Sequence, residues 1–156
     1  MKKTMLVLAL AFSASAMAAN PVANIVWSGF VPGSVAGDKL EITGLAGQAI
    51  QNGQLIVATD GSFTSTAVTV EARSLEAATI GELVSANWSL SNAQVSYSGT
   101  SEVGTLLVKA DGTDFEVGTP VSGKTSLSLT VEQSEAVAVG AGGSVQAQVT
   151  IVAEKV

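Results

Sequence analysis

Val84-Ser85-Ala86-Asn87-Trp88-Ser89-Leu90-Ser91 alternates apolar and polar side chains through four full pairs. A period of two puts every second side chain on one side of an extended backbone, so the stretch is predicted as a strand with one buried face. The C-terminal stretch repeats the pattern. Val145, Ala147, Val149, Ile151 and Ala153 alternate with Gln146, Gln148, Thr150, Val152 and Glu154. Residues 126–132 form a third example, and residues 66–72 place Val68, Val70 and Ala72 on one face. Shorter strands are predicted at residues 39–43, 54–59, 93–98, 104–110 and 115–117.

Turn-forming residues separate these runs. They include Gln51-Asn52-Gly53, Thr59-Asp60-Gly61, Ser91-Asn92, Asp111-Gly112 and residues 140–143. Asn-Gly and Asp-Gly supply the positive φ that tight hairpins need. Residues 74–82 read as a short helical turn or a loop, and no useful helical periodicity occurs elsewhere. Many short strands at this spacing predict an all-β antiparallel sandwich or barrel. No linker, low-complexity tract or internal repeat divides the chain, so one β-sandwich domain is expected.

The first residues belong to a different kind of segment. Lys2 and Lys3 precede an apolar run that ends at Ala16-Met17-Ala18. A basic start, a short apolar stretch and an A-x-A site make a secretory signal peptide, expected over residues 1–18 with cleavage between Ala18 and Ala19. The run is too short to span a bilayer, which takes about 20 residues. Removing Lys2 and Lys3 leaves 5 basic side chains against 13 acidic ones, a net charge of −8 in place of −6.

With no cysteine and no histidine among 156 residues, the chain has no zinc-thiolate site, disulfide or imidazole base. Its acidity argues against nucleic-acid partners, which want a basic footprint. No G-x-S-x-G elbow or S-x-x-K motif occurs, and residues 140–143 lack the Lys-Ser/Thr of a phosphate loop. No catalytic residue, cofactor or metal is expected, and the chain is read as a non-enzyme. Asp111, Asp114 and Glu116 cluster closely enough to raise the question of calcium, which takes several oxygen ligands. The spacing is not that of an EF-hand, and a solvated hairpin turn accounts for the cluster. Trp88, in mid-strand on the apolar face, is predicted as core.

Trp27 is less ordinary. It sits in Asn24-Ile25-Val26-Trp27-Ser28-Gly29-Phe30, an apolar, strand-like arm where a polar and disordered terminus is usual. Two readings stand. The arm is the edge strand of its own sandwich, or it inserts into another molecule.

The layout resembles a subunit of a chaperone–usher fimbria, and among those the Cys-free major pilins of the common-pilus family. The likeness runs through the signal peptide, the arm ending in Val26-Trp27-Ser28, then Asp38-Lys39-Leu40-Glu41-Ile42-Thr43-Gly44-Leu45, the Thr64-Ser65-Thr66-Ala67-Val68 strand and the alternating C-terminal strand. Two features depart from many pilins: no disulfide pair, and no penultimate aromatic, since the chain ends Glu154-Lys155-Val156. The resemblance implies an incomplete immunoglobulin-like sandwich over residues 32–156 that lacks its last strand. It implies a donor-strand arm at residues 19–31 that completes a neighbouring copy. It also implies a periplasmic chaperone and an outer-membrane usher as partners, export through the periplasm to the bacterial cell surface, and adhesion by the resulting fimbrium to a receptor it leaves unspecified.

On that resemblance residues 21–31 are the donor strand. One register turns Ala23, Ile25, Trp27, Gly29 and Val31 into the groove; the other turns in Val22, Asn24, Val26, Ser28 and Phe30. The first is favoured because the second buries Asn24 and Ser28, at about 1–3 kcal/mol for each unsatisfied group. The chaperone- and donor-facing strand is assigned to Val145, Ala147, Val149, Ile151 and Ala153. The competing expectation is a self-contained secreted β-sandwich adhesin or carbohydrate-binding module. It would fold alone, with the arm in its own sheet.

Overall fold

The computed structural model describes residues 39–156, and these are all-β. The strands are β1 Leu40–Thr43, β2 Leu55–Val57, β3 Phe63–Ser65, β4 Val68–Glu76, β5 Thr79–Leu83, β6 Ala86–Tyr97, β7 Leu107–Ala110, β8 Thr113–Asp114, β9 Val121–Lys124, β10 Ser126–Gln133 and β11 Val145–Lys155. Among the described residues the helical content is one 3-10 turn, Leu45–Gly47. Every strand ladder is antiparallel, and a single isolated parallel bridge joins Leu90 to Val117.

The strands form two sheets. In the larger, Leu129 of β10 pairs with Val68 on one side and Ala110 on the other, so β4 and β7 lie on opposite edges of β10. Glu132 likewise pairs with Thr64 and Leu107, which puts β3 in line with β4. Glu71 of β4 pairs with Ser126 and Thr43, and Phe63 of β3 with Gln133 and Val57. Strands β1 and β2 therefore form one interrupted edge of this sheet. The smaller sheet has the order β11-β6-β9.

The sheets bury their apolar faces against each other. Leu40, Val70, Ala72, Val108, Ala110 and Leu127 of the larger sheet meet Ala86, Trp88 and Leu90 of the smaller, with Phe115 closing the cluster. Trp88 is fully buried, as its place in the alternation predicts, and its indole N–H donates to the Lys124 carbonyl at 2.8 Å. That bond satisfies the one polar atom the ring brings into the core. A second cluster, Phe63, Tyr97 and Val137, fills the far end.

Three stretches differ from their sequence-based expectation. Ser91-Asn92 is no turn but a bulge inside the continuous strand β6. The ladder steps from Asn92 opposite Thr150 to Leu90 opposite Ile151, skipping Ser91. The apolar phase changes there, from Ala86, Trp88 and Leu90 to Ala93, Val95 and Tyr97. One extra residue keeps both sets facing inward. Residues 115–117 are not a strand: β8 ends at Asp114, while Phe115 drops into the core. Residues 74–82 are neither helical nor looped. They complete β4 and form most of β5, joined by Ala77-Ala78 with φ of 47° and 64°. Positive φ at both central residues is the type I′ requirement, which Asn-Gly meets at no cost and alanine meets against its Cβ. The absent Asn or Gly is why the turn was illegible. In the β7–β8 hairpin the predicted Asp111-Gly112 turn is realised, with φ of 51° and 80°.

The outer face of the larger sheet carries a partly buried ion pair. Arg73 Nε donates to Glu71 Oε2 at 2.8 Å, and the Gly47 N–H reaches the same oxygen at 3.3 Å. Arg73 also donates to the Gly81 carbonyl at 3.1 Å. The pair thus ties the 3-10 turn to β4 and β5. Burial pushes the Glu71 carboxyl up, but Arg73 and the N–H groups of Ala46 and Gly47 outweigh it and hold it below its ordinary value.

Two outcomes are expected. Ala77→Asn with Ala78→Gly raises the denaturant midpoint, a gain of about 1 kcal/mol from relieved left-handed strain. Because the Glu71 carboxyl is lowered on folding, its stabilisation is complete above its ordinary pKa and disappears as pH falls through the lower folded value. Acid titration of the thermal midpoint should therefore be shallower in Glu71→Gln than in the parent chain. Asp60 and Asp111, also held low by their hydrogen bonds, contribute in the same direction.

Candidate functional site: an open seam between the sheets

Every strand needs hydrogen-bond partners on two edges or a reason to lack them. Strand β11 has eleven residues, all laddered to β6 on one edge. Its other edge faces β1 and β2, and no ladder joins them among the described residues. The edge of one sheet therefore lies beside the edge of the other, with neither hydrogen-bonded across the gap.

The seam has defined walls. Along β11, Val145, Ala147, Val149, Ile151 and Ala153 all face inward, opposite Tyr97, Val95, Ala93, Leu90 and Trp88. This is the set assigned from sequence, and the bulge lies in β6, so its phase is unbroken. None of the five is fully buried, whereas Trp88 and Leu90 across the ladder are. The opposite wall was missed by sequence reading. Ile42 pairs with inward Ala72, and Val57 with inward Phe63, so both face the interior, and Leu55 shares the face of Val57. Val57 is nevertheless 45% exposed. An inward-facing valine left half in water marks the interior as accessible along this line. Strand β2 is only three residues long, too short for its alternation to be told from chance.

The two walls run in opposite directions. Ile42, Ile151 and Ala153 all pack against the Trp88 cluster at one end, while Leu55, Val145 and Ala147 all pack against the Phe63, Tyr97 and Val137 cluster at the other. A strand laid in the seam would thus be parallel to one wall and antiparallel to the other, with backbone groups for both.

The remaining candidate residues fall elsewhere. Ala18, Ala19 and the arm residues Ala23, Ile25, Trp27, Gly29 and Val31 lie outside the described residues. Asp111, Asp114 and Glu116 do not converge. The Asp111 carboxylate accepts the Ser128 N–H at 2.9 Å and pairs with Lys124 at 3.2 Å, while Asp114 sits opposite Lys109 in the ladder. Among the described residues no three acidic side chains are grouped to hold a metal. No protein-family model matches the chain, and no curated protein matches it.

Tyr97 ends β6 at the β2 end of the seam. Its hydroxyl is buried without a hydrogen-bond partner among the described residues, and burial pushes the phenol pKa up. An orphaned buried hydroxyl is a cost that phenylalanine does not carry. Tyr97→Phe should leave stability unchanged or raise it by up to about 1 kcal/mol, read as the urea midpoint at constant m-value. A loss of the size expected for a satisfied buried hydroxyl would contradict the orphan assignment.

Proposed function

We propose that the chain is a structural subunit of a surface fibre, polymerised by donor-strand complementation. On this reading the two sheets are an immunoglobulin-like sandwich lacking its last strand. Residues 21–31 of one copy lie in the seam of the next. The observation that carries the proposal is the seam itself: an eleven-residue strand with a half-buried apolar face and one edge unladdered among the described residues, opposite a second such edge. Residues 21–31 are the same length as β11 and carry apolar side chains at alternate positions, as such a gap demands. A donor that meets its acceptor on a different surface patch makes a head-to-tail contact, and such contacts propagate as an open filament.

The partners follow from the resemblance to chaperone–usher subunits, and an unfilled seam is consistent with them. A subunit with an unfilled apolar seam is an aggregation hazard, so a periplasmic chaperone would lend a strand until assembly, and an outer-membrane usher would direct the exchange to the cell surface. The chain then needs no chemistry of its own. That suits a sequence without cysteine, histidine or a catalytic motif. Adhesion would be a property of the fibre.

The test is polymerisation. Mature chain should give oligomers that resist detergent and collapse to monomer on heating. Trp27→Asp removes an apolar anchor whose truncation in a packed site costs roughly 3–5 kcal/mol, and should abolish the ladder while residues 39–156 keep their β spectrum. A peptide of residues 19–31 should raise the melting temperature of a chain lacking that arm. Monomer that refolds from denaturant equally well with and without the arm would instead mark a self-contained secreted domain.

A further inference from the structure

The charges of this chain are unevenly placed. No Asp, Glu, Lys or Arg occurs between Glu82 and Glu102, or between Glu135 and Glu154, in a chain of net charge −6. These two stretches contain β6 and most of β11, and the fold pairs them along eleven residues. The outward face of that ladder is Asn87, Ser89, Asn92, Gln94 and Ser96 on β6, opposite Glu154, Val152, Thr150, Gln148 and Gln146 on β11. It is rich in primary amides and uncharged apart from Glu154 at one end. The amides of Asn87, Asn92, Gln94, Gln146 and Gln148 make no hydrogen bond with the other described residues. The outward strands of the larger sheet, by contrast, carry Glu41, Glu71, Arg73, Lys109 and Glu132.

We infer that this amide face is the lateral contact between copies of the chain in neighbouring fibres. Two copies of an acidic protein repel wherever their charged surfaces meet, and this face is where the repulsion is smallest. An amide both donates and accepts, so two identical faces can satisfy each other across a two-fold axis. A sugar is a poorer occupant, because both aromatic side chains of β6, Trp88 and Tyr97, point into the core and leave no ring outside.

Size decides how the contact works. Eleven residues at about 3.4 Å, on two strands about 4.8 Å apart, present roughly 360 Å² per copy. A stable interface buries about 800 Å² per partner, so a single pair of subunits would not hold. Repetition along two fibres supplies the missing affinity through effective concentration. The inference therefore rests on the polymer reading above.

Fibres of the full mature chain are to be compared by electron microscopy with fibres of Gln94→Glu plus Gln146→Glu. These changes keep side-chain shape and add like charge to the face. Ser101→Glu plus Ser134→Glu adds the same charge in exposed loops as a control. Heat-labile ladders are read on the same samples. The expected result is side-by-side bundles in the parent and the control, single fibres in the amide-face variant, and unchanged ladders in all three. Intact ladders with bundles persisting in the amide-face variant, with bundles lost equally in the control, or with no bundles in the parent would each overturn the lateral contact while leaving strand donation standing. Absent ladders would overturn strand donation, and with it the fibres this contact needs. A neutral glycan captured by the parent and lost in the amide-face variant, with bundling unchanged, would reassign the face to a carbohydrate.

Discussion

The pairing of β6 with β11 is the constraint on which the rest of the structure depends. It is the longest ladder among the described residues, and both strands present one apolar face to the larger sheet. Because side chains alternate with a period of two, a slip of β11 by one residue against β6 would turn Val145, Ala147, Val149, Ile151 and Ala153 out to water while Trp88 and Leu90 stayed inside. The bulge at Ser91 is what lets a single strand serve two apolar phases. It puts Trp88 and Tyr97, nine positions apart in sequence and so of opposite parity, on the same side of the sheet.

That ladder also creates the open question of the fold. It satisfies one edge of β11 and leaves the other beside β1 and β2. Most sandwiches blunt such an edge with charge, proline or a covering loop. Here the stretch from Val145 to Ala153 carries no charge and no proline, and its inward side chains are only partly covered. A long, apolar, uncharged edge is costly for an isolated domain and useful for one meant to receive a strand. The same lack of charge on its outward face makes the smaller sheet the least repulsive side of an acidic molecule.

Much of this was legible. The β6, β10 and β11 alternations and the Asp111-Gly112 hairpin were readable because one local rule governs each: period two for strands, positive φ for the turn. The five inward residues of β11 followed directly. Other features obey no local rule. The Ala77-Ala78 hairpin uses residues that disfavour its φ values, so tertiary pairing of Leu75 with Ile80 overrides turn propensity. The Glu71–Arg73 pair lies on the face opposite the core and is partly buried only because Leu45–Gly47 folds across it. Strand β9, with Gly123 at φ 71°, carries no alternation to announce it.

The sequence by itself determined the class of fold, the apolar face of each long strand, the absence of thiol and imidazole chemistry, and the identity of one wall of the seam. All of these follow from properties of consecutive residues. Tertiary structure alone decided that β1 and β2 make the other wall, that the two walls run in opposite directions without a ladder between them, and that two charge-free stretches separated by residues 102–135 form one amide face. The reason is that an edge, a seam or a face is defined by which strands are neighbours. That choice is made by burying Trp88, Leu127 and Phe115 between the sheets and not by any local preference of the chain.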